Sequence, residues 1–138
     1  ELPNKIKLAL SIQPEYVFKS RDYFLVYNQE QDIKALKIDR SSFDKINLGY
    51  GGVIVTAQGD NVDFVSRFFT PQATILEDPV TGSAHCSLIP YWAAILSKNE
   101  LIAHQCSERG GTLYCEYKGK RSIISGKAIT YSKGLFRI

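Results

Sequence analysis

Methionine is missing from all 138 residues, and cysteine is limited to three. Because the chain also opens on Glu1-Leu2-Pro3, it is expected to be a fragment, a processed product or a chain whose first residues are not shown. Cys86, Cys106 and Cys115 show no metal-type pairing, and their odd number leaves a thiol over in any disulfide scheme. With no signal peptide in view, a reducing, cytoplasmic setting is expected. Long apolar runs are lacking, so no membrane partner is expected. Charge of one sign is lacking too: 17 basic and 14 acidic side chains give a net +3, with the basic ones scattered. Their densest group, Lys118, Lys120 and Arg121, reads as a hairpin tip. Without a continuous basic stripe, no nucleic-acid partner is expected. Linkers, repeats and low-complexity segments are also absent, so residues 1–138 read as a single domain able to bury a core.

What is present is an ordinary globular balance, 44% hydrophobic and 22% charged, with eight Tyr and seven Phe that lean towards β structure. Lys5 to Ile12 reads as a strand or an opening segment. Glu15–Lys19 and Asp22–Tyr27 flank Ser20-Arg21 as an antiparallel hairpin. Glu30–Leu36 suits a short helix, and Ser41 or Ser42 is expected to cap a second. Val53–Ala57 and Val62–Phe69 pair around a turn at Gln58 to Asn61. Ala84 to Leu96 is apolar almost throughout and is expected as a helix buried on nearly all sides, kinked at Pro90. Lys98-Asn99 is expected to end it. Ile102–Ser107, Gly111–Tyr117, Arg121–Tyr131 and Gly134–Ile138 read as further strands. A greasy helix among many short strands predicts an α+β architecture: a mostly antiparallel sheet wrapped as a partial barrel around a central buried helix.

The functional signal lies in Glu77-Asp78-Pro79-Val80-Thr81-Gly82-Ser83-Ala84-His85-Cys86. A loop with small residues feeds the start of the apolar helix, where free N–H groups and the positive end of the dipole suit an anion. Gly82 admits a ligand close to the backbone, Ser83 adds a hydroxyl, and Asp78 supplies a carboxylate a few residues away. The combination points to a small carboxylate substrate beside a proton-transfer group. The same residues also fit an ordinary capped core helix.

Val65-Ser66-Arg67-Phe68-Phe69, the Glu77–Cys86 segment, Pro90-Tyr91-Trp92, then Gln105, Ser107 and Arg109-Gly110-Gly111 together resemble the second half of phenazine-biosynthesis PhzF-like proteins. These are isomerases with the diaminopimelate epimerase-like fold. The match is strong from Val53 onward and general in pattern before it. The resemblance implies two similar domains with the substrate in the cleft between them, this chain being the second. It implies that Asp78 and Ser83 are catalytic and that Thr81, Gly82, Ser83 and Ala84 grip the substrate carboxylate. It implies proton transfer without cofactor or metal, Asp78 standing where related epimerases carry a cysteine. The principal glutamate of the family's first domain, in its glycine- and asparagine-containing motif, has no counterpart here. The missing N-terminal domain or a second copy of the chain is therefore expected to complete the site, and a homo-oligomer is expected.

Each of these residues also has a plainer role. Asp78 before Pro79 suits a turn or cap, and Ser83 a helix-start hydrogen bond. His85 suits a neutral packing histidine, Cys86 a small buried hydrophobe, and His104 a surface strand position. Arg109 and Gly110 either bring a guanidinium to the substrate carboxylate or form a bulge at the start of a strand. Tyr91 and Trp92 read as core, and Glu77 as a solvated partner for a cation. Beside the isomerase, a non-catalytic domain that binds a small acid or pairs with itself, and a purely structural assembly domain, remain open.

Overall fold

In a computed structural model of the chain, residues 2–137 are described. Seven strands form one sheet in sequence order, β1-β2-β3-β4-β5-β6-β7. They are β1 Tyr16–Lys19, β2 Tyr23–Val26, β3 Val53–Gln58, β4 Phe64–Phe69, β5 Glu100–Gln105, β6 Gly111–Tyr117 and β7 Ser122–Ser125. β2 with β3 and β4 with β5 are parallel, and the other four pairings are antiparallel. The α+β character and the antiparallel majority of the pairings agree with the expectation. The barrel does not: the sheet is open, with β1 and β7 as its two edges.

Each parallel pairing needs a long crossover, and each crossover carries helix. The β2–β3 connection holds α2 (Glu30–Ala35) and α3 (Arg40–Phe43), while the β4–β5 connection holds α4 (Gly82–Leu96). Because β3 and β4 are antiparallel, the second crossover starts from a strand running the opposite way. Right-handed connections then send the two helical layers to opposite faces of the sheet.

The side chains record that division. In β2, Tyr23 and Leu25 join one apolar cluster with Ile33 of α2 and Phe43 of α3. Phe24 and Val26 join the other, with Leu88, Ile89 and Trp92 of α4. The single-residue alternation is the strand period of two, and β2 is buried along its whole length because both faces are covered.

Several expected elements change identity. Residues 5–12 do not form a strand: α1 (Asn4–Ala9) occupies most of them. Ile6, Ala9 and Leu10 are buried while Leu8 is exposed, so the helical spacing of i, i+3, i+4 decides, not alternation. The cap of α3 is Asp39 instead of Ser41 or Ser42; its carboxylate accepts the Ser41 N–H at 3.0 Å and both serine hydroxyls. α4 ends at Ser97, in the left-handed conformation at φ 53°, not at Lys98-Asn99.

α4 is also not wrapped by the sheet. Ala84, His85, Leu88, Ile89, Trp92 and Ala93 face the strands, but Cys86 and Ala94 are exposed and Ile95 is 57% exposed. An open sheet covers only one side of a helix, and composition alone did not say which side would stay uncovered.

The strands expected through Tyr131 and from Gly134 are absent as well. Beyond β7, residues 126–137 have no regular structure, and Ile129, Tyr131, Leu135 and Phe136 are almost fully exposed. A strand needs a ladder partner, and these residues meet none. Ile138, the end of that expected strand, lies outside the described residues.

Candidate active site

The motif loop leaves β4 and returns briefly to it. Glu77 bridges to Phe69, and the Asp78 N–H donates to the Phe68 carbonyl at 3.0 Å. Glu77 is a half-buried ion-pair partner, not a solvated one: both its oxygens accept from Arg67, at 2.7 and 2.9 Å. Arg67 also donates to the Ile33 and Leu36 carbonyls at the end of α2. This pair ties the motif loop to the opposite helical layer through the sheet.

Thr81 then occupies the N-cap position of α4, with extended backbone angles of −113° and 95°. A threonine there ordinarily turns its oxygen to the helix amides. Here the hydroxyl makes no such bond and donates instead to Asp78 Oδ2 at 2.6 Å. The first turn of α4 also carries no acidic residue. The N–H groups of Gly82, Ser83 and Ala84 therefore lie at the positive end of a 15-residue helix with no side-chain acceptor of their own. Gly82 and Ser83 are exposed, and Ala84 is buried against the sheet.

Gly82 has no steric reason to be glycine. A Cβ at this position would find nothing within 4 Å, and its φ is not positive. Gly52 and Gly111 differ, since a Cβ would lie 2.4 Å from Phe68 Cζ in one case and from Val80 Cγ2 in the other. Of these three glycines, Gly82 is the one whose Cβ position faces open space.

Two residues outside the expected site set complete the surroundings: Arg21, and Gln105, which the family resemblance includes without giving it a role. Arg21, at the tip of the β1–β2 hairpin, donates through Nη2 to Ser83 Oγ at 3.2 Å. The same guanidinium grips Asp22 through Nε and Nη2, and Asp22, only 3% exposed, accepts the Gly52 N–H at 2.8 Å. The hydrogen bond to Asp22, then its charge, raises the Arg21 pKa further and holds the cation in place. Gln105 on β5, 1% exposed, accepts the Thr81 N–H at 2.8 Å and donates to the Asp78 carbonyl at 2.7 Å and to Thr81 Oγ1 at 3.1 Å. Arg21 lies in no local pattern that announces it. The Gln105 signal is a lone amide on a strand face whose other inward residues, Leu101 and Ala103, are apolar.

His85 fits its plainer reading. Its Nδ1 lies 2.8 Å from the Thr81 carbonyl, which can only accept, so Nδ1 carries the proton. Burial lowers its pKa, so the ring is neutral. Trp92 is core and donates to Thr56 Oγ1 at 3.0 Å. Tyr91 is half-buried, its ring centroid 5.1 Å from that of Phe24 and 5.8 Å from that of Phe18. Cys86 is exposed, contrary to the expected buried hydrophobe, because the fifth residue of α4 faces away from the sheet.

Arg109 and Gly110 form the β5–β6 turn, with Gly110 at φ +68°. The Gly110 N–H donates to Ser107 Oγ, whose hydroxyl donates to the Pro79 carbonyl at 2.7 Å. This turn braces the motif loop from behind. Arg109 lines a cavity of about 490 Å³ with Val80 and Lys127, and neither Asp78, Gly82 nor Ser83 borders it. The structure thus brings Asp78, Thr81, Gly82, Ser83 and Ala84 together at the helix mouth and leaves Arg109 beside Val80.

The sequence model of a family described as phenazine biosynthesis-like protein, PhzC-PhzF, matches residues 10–134. The chain belongs to this family. A Pseudomonas aeruginosa protein named an uncharacterized isomerase is 47% identical over 135 residues, covering 97% of this chain and 51% of that protein. Another of the same description, from Halalkalibacterium halodurans, is 43% identical over 131 residues, covering 93% and 49%. A crystal structure of a PhzF-family protein from Enterococcus faecalis superposes with a TM-score of 0.87 at 45% identity, over all of this chain and 52% of that one. The chain spans about half the length of the curated relatives it matches. The fold is that of the PhzF family, and relatives in this family carry the name isomerase. Among the described residues no helix is long and apolar enough to cross a membrane.

Proposed function

We propose that this chain is the carboxylate-binding part of a cofactor-independent isomerase that moves a proton on a small organic acid. The observation that carries the reading is the uncapped mouth of α4, where the amides of Gly82, Ser83 and Ala84 lie beside the Asp78 carboxylate. A substrate carboxylate seated on those amides would be held by hydrogen bonds and by the helix dipole. Removing a proton from the carbon next to it generates negative charge that delocalises onto the same carboxylate. Amides already aimed at that position stabilise the charge without reorganising.

In this reading Asp78 takes or returns the proton through Oδ1, since Oδ2 is occupied by the Thr81 hydroxyl. Ser83 Oγ, accepting from Arg21, has its own proton free to donate to the substrate. A second acid/base group would come from the remaining half of the protein or from a second copy of the chain. Arg109 and Gly110 act at the far side of the motif loop, as a brace with a cation facing the adjacent cavity.

A second reading, a small-acid-binding domain that pairs with itself without turnover, is favoured by exposed apolar side chains on the β1 edge and the outer side of α4. Tyr16, Phe18 and Ile95 are 53%, 48% and 57% exposed. The deciding experiment is deuterium uptake from D2O into the acidic C–H of a small carboxylate, followed by NMR with the intact gene product. The isomerase reading expects uptake that falls by roughly a hundredfold or more in Asp78→Asn. Binding without uptake favours the second reading, and uptake unchanged in Asp78→Asn removes Asp78 from the chemistry.

A further inference from the structure

The N-cap of α4 poses a problem that Gln105 resolves. Threonine at this position has a strong preference to accept from the amides two and three residues on, which would close the helix mouth from within. The Gln105 amide is oriented unambiguously, because the Thr81 N–H can only donate and the Asp78 carbonyl can only accept. Nε2 must therefore face the Asp78 carbonyl and Thr81 Oγ1, and the Thr81 oxygen receives a hydrogen from it at 3.1 Å. With that lone pair engaged, the Thr81 hydroxyl hydrogen is left to donate to Asp78 Oδ2. Gln105 and Asp78 thus hold both functions of the hydroxyl on the side away from the helix amides.

We infer that Gln105 is a positioning residue that keeps the α4 mouth open by preventing Thr81 from capping its own helix. It acts through Thr81 and touches no ligand. Its 1% exposure and its place on β5, fixed by register opposite Ser66 and Gly111, make the arrangement part of the sheet and not of a movable loop. Its consequence for binding rests on the proposed carboxylate seat; the capping geometry itself does not.

The test uses the 138-residue chain, with Gln105→Met, the double variant Gln105→Met with Thr81→Val, and Gln105→Glu as a second replacement should the methionine variant fail to fold. Acetate affinity is read from the amide shifts of residues 82–84, and amide hydrogen exchange at residues 83 and 84 is read without ligand. Loss of Gln105 is expected to weaken acetate binding at least about tenfold and to slow exchange by a similar factor, as Thr81 turns onto the amides. Valine cannot cap, so the double variant is expected to regain wild-type exchange and affinity within about threefold. Rescue of this kind does not follow from a merely structural role. Unchanged exchange in the Gln105 variants, or a loss that Thr81→Val does not reverse, overturns the inference. If the wild-type chain binds no acetate, the carboxylate seat fails while the exchange data still decide the role of Gln105.

Discussion

Arg21 Nη2 lies 3.2 Å from Ser83 Oγ although the two residues are 62 positions apart. The contact exists because the guanidinium is already fixed on Asp22, whose buried carboxylate also accepts the Gly52 N–H. The first turn of α4 is thereby linked to the β1–β2 hairpin and to the start of β3. A cation beside the positive end of a helix is an unfavourable neighbour unless negative charge accompanies it, and the Asp22 carboxylate bonded to Arg21 supplies that charge.

Gly52→Ala tests how tightly the start of β3 is set against β4. The added methyl would meet Phe68 Cζ at 2.4 Å and the Phe69 carbonyl at 2.8 Å, the latter being backbone that cannot give way. A loss of about 1–3 kcal/mol is expected from urea unfolding. A neutral substitution would mean that β3 and β4 are less tightly set than the distances indicate.

Gly82→Ala is expected to behave oppositely. Nothing within 4 Å resists the methyl, so stability stays level or rises by up to about 1 kcal/mol. Carboxylate affinity, measured by the same shift titration, is expected to fall several-fold as the methyl crowds the ligand. Destabilisation without an effect on binding would assign Gly82 a structural role.

The pH dependence of stability has a definite sign. Burial lowers the His85 pKa below its ordinary 6.5, so the unfolded chain binds a proton there that the folded chain does not. Stability present above that value is lost as pH falls below it, with a slope of at most about 1.4 kcal/mol per pH unit. Glu30, lowered from 4.5 by its hydrogen bond to Lys34 and then by the Asp60 N–H, adds a further loss in more acid solution. Thermal melts are expected to decline with acid below the ordinary histidine range, and His85→Asn is expected to flatten the upper part of that decline. A melting temperature indifferent to pH in the wild type contradicts the neutral, buried assignment.

Thiol labelling separates the three cysteines. Cys86 is exposed on the outer side of α4, whereas burial raises the Cys106 pKa and pushes that of Cys115 up to about 11. One thiol is expected to react fast with an aromatic disulfide reagent at mildly alkaline pH, and Cys86→Ser is expected to abolish that phase. Three equal phases would show that the core around Cys115 opens readily.

Much of this organisation is legible in the residues themselves. The β3–β4 hairpin, the Gly111–Tyr117 strand and the helix after Gly82 follow from apolar spacing and turn residues, and the motif loop from its small and acidic residues. α1 is not legible locally, because Lys5–Ile12 is short and its apolar residues fit either period. The uncovered side of α4 depends on whether the sheet closes, which no local window contains. The contacts that Arg21 and Gln105 make with the motif lie beyond any local window for the same reason, at separations of 62 residues for Arg21 with Ser83 and 24 for Gln105 with Thr81, although Gln105 itself belongs to the family resemblance.

The claim on which the account turns is that the amides opening α4 receive a carboxylate. Nuclear magnetic resonance of the nitrogen-15-labelled chain, titrated with acetate at constant ionic strength, measures this directly. Saturable shifts centred on Gly82, Ser83 and Ala84, and absent when chloride replaces acetate, are the predicted result. Amides at these three positions that stay unmoved while others respond, or respond alike to chloride, would contradict it.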